Sequence, residues 1–508
     1  MNRLLTRQIP QQLYRPDQVR DYEARAAEIA GISMWQLMQR AGRAAFECLR
    51  EAYPAPLRVA VLCGSGNNGG DGYVLATQAA LAGYDVRVFT AKPAATELSA
   101  RAQSSWQAQG GQIEALLDWG DCDPDVVVDA LLGTGVDTPV QGDIAEAIAS
   151  VNEARLPVIA IDVPSGLHAD TGRVLGQAIQ ARHTVTMVAP KRGLYTAQAG
   201  DYCGQLWFAD LGILREFRTL CKAAAWRLDP TQLTQAFPPR PWNCHKGMFG
   251  HVVIIGGSEG MVGAVQLAGM AALRAGAGKV TVICQHGSQG FAPELMVRSL
   301  QADDPDSDTL LQQADVIAIG PGLGQQQWGQ AWWHKVIELD TPLVVDADAL
   351  NLLARNPMRR DDWILTPHPG EASRLLATQA NELEQDRWDT AARLHEQYGG
   401  VVVLKGAGSI IYHSDYVAVN TSGNPGLASA GMGDVLTGVI AAVLAPLYAQ
   451  AGQLRQSLPE STGYAALVHG LAAQTASQTR GQRGLLASDV IDCISAWVNP
   501  SQGGSTAD

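Results

Sequence analysis

The chain has 508 residues, more than one ordinary hydrophobic core accommodates, so two domains are expected. Apolar residues make up 46% and charged residues 17%, a globular balance that excludes a disordered chain. Net charge is -13, from 37 basic against 50 acidic residues, and no basic stripe stands out. Nucleic acid is therefore not expected as a partner, and an anionic substrate would have to be held by local donors rather than by a global field. The eight cysteines form no C-x-x-C and no zinc spacing with histidine, which argues against a structural zinc and a disulfide framework. Reduced thiols in the cytoplasm are the expectation.

In chain order, the start MNRLLTRQIPQQLYRPDQ has no apolar stretch of signal-peptide length. A long helical stretch follows from Pro16 to Glu51, with kinks expected at Gly31 and Gly42. Then come short apolar runs separated by helical patterns: LRVAVLC (57–63), YDVRVFT (84–90), DVVVDA (125–130), PVIAIDVPSG (157–166) and HTVTMVAPK (183–191). That rhythm predicts a mainly parallel sheet covered on both faces. Residues 213–245 lose it, and PPRP at 238–241 marks a linker, placed at 221–240 between domains 1–220 and 241–500. It resumes with HVVIIGG (251–257), KVTVICQ (279–285), DVIAIGPGLG (315–324), PLVVDADALN (342–351), WILTPHPGE (363–371) and GVVVLKGAG (400–408). The fold class is therefore α/β, with two three-layer α/β/α domains. The longest apolar run, about Gly438 to Ala449, is short for a bilayer and contains Pro446, so no membrane is expected.

In open parallel sheets ligands bind at the carboxyl ends of strands, and the motifs of interest lie there. GSGNNGG (64–70) matches G-x-G-x-x-G between a strand and a helix, a place for phosphate at a helix N-terminus. The acidic residue that a dinucleotide fingerprint wants at the end of the next strand is missing from FTAK (89–92), which weakens the ordinary Rossmann reading. A tight packing turn explains the glycines but not Asn67, Asn68 and Asp71 together. DALLGTGVDTP (129–139) puts Asp129 at a second strand end, and DVPSG (162–166) puts Asp162 and Ser165 at a third. An amide, two carboxylates, a hydroxyl and loop carbonyls suit a hard cation better than a transition metal.

In this order and spacing, GNNGGDG, DALLGTG and DVPSG resemble the NAD(P)H-hydrate epimerase domain over roughly residues 15–215. The resemblance implies a Rossmann-like fold. It implies substrate contacts at Asn67, Asn68, Gly69, Gly70 and Asp71, and at Gly133, Thr134, Gly135, Val136, Asp137, Thr138 and Pro139. It places Asp162 near the nicotinamide and a potassium ion at Asn68, Asp129 and Ser165. Inversion at C6 of a hydrated nicotinamide needs a proton-handling group. Asp162 is the first candidate and Lys191, in APKRG, the second, against a plain surface lysine.

The second half has no G-x-x-x-x-G-K-[ST] and no protein-kinase signature. GGSEGMVGA (256–264), KGAGS (405–409) and GNPGLASAGMGD (423–434) are nevertheless phosphate-shaped loops. The last delivers Asp434 to the start of an apolar helix, where backbone amides can stabilise charge on a transferring phosphoryl group and a carboxylate can take the proton of the attacking hydroxyl. The bland alternative is an Asp N-cap. TPHPGE (366–371), KGAGS and N-x-G-x-x-x-x-G-x-G-D (424–434) resemble the NAD(P)H-hydrate dehydratases of the ribokinase-like superfamily over about residues 235–498. The resemblance implies hydrate contacts at Ala264, Gly322, His368 and Asp434, nucleotide contacts at Lys405, Gly406, Ala407, Gly408, Ser409 and Gly433, and Asp434 as base. Glu371 is a candidate for Mg²⁺, directly or through water, with Asp346 and Asp348 behind it.

Together these imply a bifunctional enzyme of nicotinamide-nucleotide repair. It would interconvert R and S hydrates at C6 and dehydrate the S form at the expense of ADP, ATP being the less favoured nucleotide. The cofactors implied are K⁺ and Mg²⁺. The partners are the NADH and NADPH hydrates and ADP, in a cytoplasmic homo-oligomer. The alternative is a vitamin-precursor kinase joined to a non-catalytic nucleotide-binding module.

Overall fold

The computed structural model describes residues 5–54, 57–287, 290–450 and 457–500. The chain divides into two compact units, Met1–Arg227 and Leu228–Asp508.

In the first unit the sheet runs, in spatial order, Leu5–Thr6, Gln205–Ala209, His183–Met187, Val158–Ile161, Val126–Ala130, Arg58–Cys63, Asp85–Thr90 and Ile113–Ala115. Every neighbouring pair is parallel except the first. The central strands are apolar on both faces because both are covered. Val59, Val61 and Cys63 join the core on one side, and Ala60 and Leu62 the core on the other. Strand order reverses between Arg58–Cys63 and Val126–Ala130, so the loops after these two strands part and leave a crevice. Gly64 is required there: a Cβ would lie 1.8 Å from the carbonyl oxygen of Leu131 in the facing loop.

The helical stretch expected over 16–51 is two helices, Pro16–Ile29 and Met34–Ala52. Gly31, at φ 70°, is a full break rather than a kink, and Ser33 caps the second helix by accepting a hydrogen bond from the Gln36 N–H. Gly42 does not kink the chain. It lets the helix Asn67–Leu81 approach, since a Cβ at Gly42 would lie 2.5 Å from Val74 Cβ. The helix that follows the strand begins inside GSGNNGG rather than after it, at Asn67. The segment 221–240 carries structure of its own. Ala225–Arg227 pairs antiparallel with Gln12–Leu13 in the first unit, and Leu233–Ala236 is a short helix in the second.

In the second unit the order is Met296–Ser299, Lys279–Cys284, His251–Ile255, Val316–Ile319, Leu343–Val345, Trp363–Leu365, Val401–Leu404, Ser409–His413 and Tyr416–Asn420. The first seven are parallel and the last two close an antiparallel meander. Order reverses again, at His251–Ile255 and Val316–Ile319. Met432–Ala449 is long and apolar enough by composition to cross a membrane, longer than the run read from sequence. Twelve of its residues are buried inside the unit, where it packs on Val262–Arg274 and Leu458–Arg480. Its greasy length is that of a core helix.

Candidate active sites

A cavity of about 460 Å³ opens at the switch point of the first unit. Asn67, Asn68, Asp71, Gly133, Thr134, Gly135, Val136, Asp162 and Lys191 line it, brought from four strand ends. Gly69 and Gly70 are buried behind it, and Asp137, Thr138 and Pro139 are not among its lining residues. Asp162 and Val188 both sit in the cavity wall with left-handed backbone, at φ 68° and 64°, which costs about 1 kcal/mol or more each and is held by the surrounding loops. Lys191 is 1% exposed, which removes the surface-lysine alternative. Its Nζ donates to Asp162 Oδ1, to the Met187 carbonyl at 2.8 Å and to Thr186 Oγ1 at 3.4 Å.

Asp129 and Ser165 lie beneath the cavity floor, fully buried. Ser165 Oγ donates to Asp129 Oδ1 at 2.5 Å, and the Ser165 N–H donates to Oδ2 at 2.7 Å. The amide of Asn68 donates to the Leu132 carbonyl at 2.9 Å, and that carbonyl also accepts from Ser165 Oγ at 3.3 Å. The three residues read as potassium ligands are thus one cluster of hard oxygens. Burial pushes the Asp129 carboxyl up to about 6, with the Ser165 and Leu131 hydrogen bonds pulling the other way. No ion pair compensates it among the described residues, so the donor set fits a weakly charged, oxygen-loving cation.

One functional candidate escaped the sequence reading. Glu23, on the helix Pro16–Ile29, reaches the same cavity wall. Burial pushes its carboxyl up to about 7; Lys191 pulls it down and Asp162 pushes it up. Burial also raises Asp71 well above the carboxylate range, with Asp162 and Glu23 adding to the rise and Lys191 opposing it. No motif marks Glu23, which sits in an unremarkable charged helix; the only local signal is an acid one turn from buried Val19 and Ala26.

In the second unit a cleft of about 530 Å³ collects Ala264 and Asp434 from two helix starts and Gly322 and His368 from two loops, together with Asp348, Asn351, Glu371 and Arg374. The helix that carries Asp434 is capped by Gly431 at φ 86°. Asp434 lies in its first turn, not at the N-cap position, so capping does not account for it. Burial pushes its carboxyl up to about 6; Asp346 adds to this and Lys405 opposes it. Among the described residues no hydrogen bond holds it.

Behind Asp434, Lys405 Nζ donates to Asp346 Oδ1 at 2.8 Å and lies 3.7 Å from Glu371 Oε2. Thr437 Oγ1 donates to Asp346 Oδ2 at 2.8 Å. Burial alone would raise Asp346, but Lys405 and the Thr437 and Thr366 hydroxyls hold it below the usual carboxylate range. Burial would lower Lys405, and Asp346 and Glu371 raise it instead. Asp346 follows Leu343–Val345, and the backbone there is tight: at Gly320, φ 130°, a Cβ would meet the Asp346 carbonyl at 1.8 Å. A Cβ at Gly433 would lie 3.4 Å from Lys405 Nζ, so Gly433 and Lys405 border the same space. Gly406 and Ser409 close a turn of their own through Ser409 Oγ, backed by buried Arg387, whose Nη2 donates to the Leu404 and Lys405 carbonyls. Gly406 to Ser409 do not line the cleft.

His368 caps the helix Pro369–Leu376: its Nδ1 accepts from the N–H of Gly370 at 3.0 Å and of Glu371 at 3.3 Å. That leaves Nε2 as the protonated nitrogen of a neutral ring. Burial lowers its pKa, and Lys405 and Arg374 lower it further. Asp348 is committed to the Gly324 N–H and Gln325 Nε2, both at 3.0 Å. No group of three His, Cys, Asp or Glu side chains converges as a metal cage among the described residues.

Comparison with known proteins agrees with the two-part layout. Residues 252–496 match the family described as NAD(P)H-hydrate dehydratase, and residues 35–193 match the YjeF-related protein N-terminus. A bifunctional NAD(P)H-hydrate repair enzyme of Coxiella burnetii is 43% identical, covering 96% of this chain and 99% of that protein. One from Escherichia coli is also 43% identical, over 97% of this chain and 95% of its own. A solved ADP/ATP-dependent NAD(P)H-hydrate dehydratase of Bacillus subtilis is 29% identical, with a TM-score of 0.46 over 53% of this chain and 96% of that one. The chain belongs to the family of bifunctional NAD(P)H-hydrate repair enzymes.

Proposed function

We propose that this chain restores NADH and NADPH from their hydrates in two steps. The unit around 1–220 interconverts the R and S forms at C6. The unit around 241–500 dehydrates the S form, consuming ADP and releasing AMP and phosphate. The observation that carries the reading is Asp434: a carboxylate in the first turn of a helix, in a cleft with His368, Ala264 and Gly322, with Lys405 beside it.

A C6 hydroxyl is a poor leaving group and a phosphate a good one. Asp434 takes the hydroxyl proton as the oxygen attacks the terminal phosphoryl of ADP, and AMP leaves. Loss of the C5 proton and cleavage of the C6–O bond then expel phosphate and restore the double bond. The amides of Met432 and Gly433 and the ammonium of Lys405 stabilise charge on the transferring group. Gly406, Ala407, Gly408 and Ser409 cradle the nucleotide, and His368 Nε2 donates to the hydrate. Glu371, directly or through water, would help hold Mg²⁺, which would supply positive charge to the transferring phosphoryl group.

In the first unit Asn68, Asp129 and Ser165 would hold K⁺. That ion would supply fixed positive charge under the loops that contact the substrate pyrophosphate. Lys191 and Asp162 orient the ring from the cavity wall. ADP is preferred over ATP on the resemblance to bacterial fused enzymes. We place the protein in the cytoplasm as a homo-oligomer, which light scattering would test.

The test is a mixture of both NADH hydrate epimers with K⁺ and Mg²⁺, with ADP in one reaction and ATP in another, followed by reduced-nicotinamide absorbance. Full recovery with ADP is expected. Recovery that halts near the fraction of one epimer would remove the epimerase, and no recovery with unused nucleotide would favour the vitamin-precursor kinase.

A further inference from the structure

The proposed epimerase cavity holds three carboxyls and one ammonium, and they are not equivalent. Asp162 Oδ1 is already engaged by Lys191 Nζ and by the Met187 N–H at 3.1 Å. Lys191 spends its hydrogens on Asp162, Met187 and Thr186. That network fixes both side chains in the cavity wall. Glu23 and Asp71 both line the cavity, and among the described residues neither makes a hydrogen bond or an ion pair. Two unengaged carboxyls facing one cavity are the arrangement a proton-shuttling site needs.

We propose that Glu23 is the general base and Asp71 the general acid of C6 inversion, with Lys191 and Asp162 as positioning residues. This rests on the epimerase reading above. The C6 carbon bears both a hydroxyl and the ring nitrogen, so it can open. Glu23 takes the hydroxyl proton, and the O–H electrons form a C6=O bond. The C6–N1 pair goes to N1, which takes the proton of Asp71. Rotation about C5–C6 presents the other face of the aldehyde. N1 then attacks C6, its proton returns to Asp71, and Glu23 protonates the oxygen. Both catalysts end as they began, and no oxidant or water is consumed.

The required protonation states are the ones the cavity favours. A base should ionise near the working pH, and burial pushes Glu23 up to about 7. An acid should stay protonated there, and Asp71 is raised well above the carboxylate range. The charged and titratable groups lining the cavity with Glu23 are Arg20 on its own helix, Asp71 on Asn67–Leu81, and Asp162 and Lys191 on the facing strand ends.

The full chain supplies its own control. With mixed epimers and nucleotide, the S form is consumed in a fast phase by the other unit, and the R form follows in a slow phase set by inversion. E23Q should keep the fast phase and drop the slow one at least 100-fold, to the uncatalysed rate. E23D should retain part of it. The wild-type slow phase should rise with pH through about 7, a break absent from E23Q. A slow phase in E23Q within about threefold of wild type would overturn the assignment. So would a wild-type profile flat between pH 6 and 8, a measurement that needs no variant to fold. If the wild type itself lacks a catalysed slow phase, the epimerase reading fails instead, and the two failures are distinct.

Discussion

Replacing Asp434 by asparagine should abolish dehydration and stabilise the protein, in one substitution. The carboxyl is pushed from 3.8 in the open chain to about 6 by burial and by Asp346. A group whose folded pKa is raised helps stability only below its unfolded value, and that help is lost as pH rises through the folded one. At pH 8 the wild type therefore bears a penalty of about two pKa units, at most about 3 kcal/mol at 1.36 kcal/mol per unit. Asp434 faces an open cleft, and solvent screening reduces this to about 1–2 kcal/mol. Asparagine keeps the shape without the charge. For a unit of this size that is a rise in melting temperature of about 2–3 °C. The assay is thermal unfolding of the full chain without nucleotide, for wild type and D434N, between pH 4 and pH 8. The gain should be near zero at pH 4 and reach its plateau above pH 7, while the fast phase of NADH recovery disappears. A variant that is inactive but no more stable at pH 8 than at pH 4 would refute the strained-carboxylate argument. An active one would refute the base.

Other outcomes follow from the same geometry. Dehydration by the wild type should rise with pH through about 6, as Asp434 ionises, and level off above it; a rate independent of pH from 5 to 7 would count against it. K405A strands Asp346, which is 2% exposed, without its counter-ion and should cost about 3–5 kcal/mol by urea unfolding, with loss of dehydration. G64A forces a methyl into the Leu131 carbonyl, so the two crevice loops must part; about 1–3 kcal/mol and most of the inversion rate should go, with dehydration of the S form kept. Replacing K⁺ by a larger organic cation should slow inversion in the wild type and make little difference in S165A, which lacks one of the buried oxygens and should already be slow.

Much of this protein was legible before folding. Parallel strands buried on both faces must be nearly continuous apolar runs, so Arg58–Cys63, Val126–Ala130 and Val316–Ile319 announce themselves locally. Glycines that let backbones touch, such as Gly64 and Gly320, are equally local, and so are the polar residues of the loops they shape. Chain order with crossovers then put DALLGTG beside GNNGGDG and Asp434 at a helix start.

What the tertiary structure alone decided was which groups share a space and in what charge state. The apolar run reads as too short to span a bilayer, but the helix Met432–Ala449 is longer than that run and is a core helix because two other helices cover it. Lys191 reads equally as a site residue or a plain surface lysine, and it is buried because its backbone bridges to Tyr14 and its ammonium turns in onto Asp162 and the Met187 carbonyl. Asp348, within reach of the cleft, is taken up by Gly324 and Gln325, while Asp346, two residues earlier, is the partner of Lys405. Glu23 carries no motif at all. Its proximity to Asp71, Asp162 and Lys191 comes from three separate elements, and its raised pKa comes from the water they exclude. Local pattern encodes what a segment does with its own backbone; desolvation and charge coupling depend on neighbours distant in the chain, and only packing brings those together.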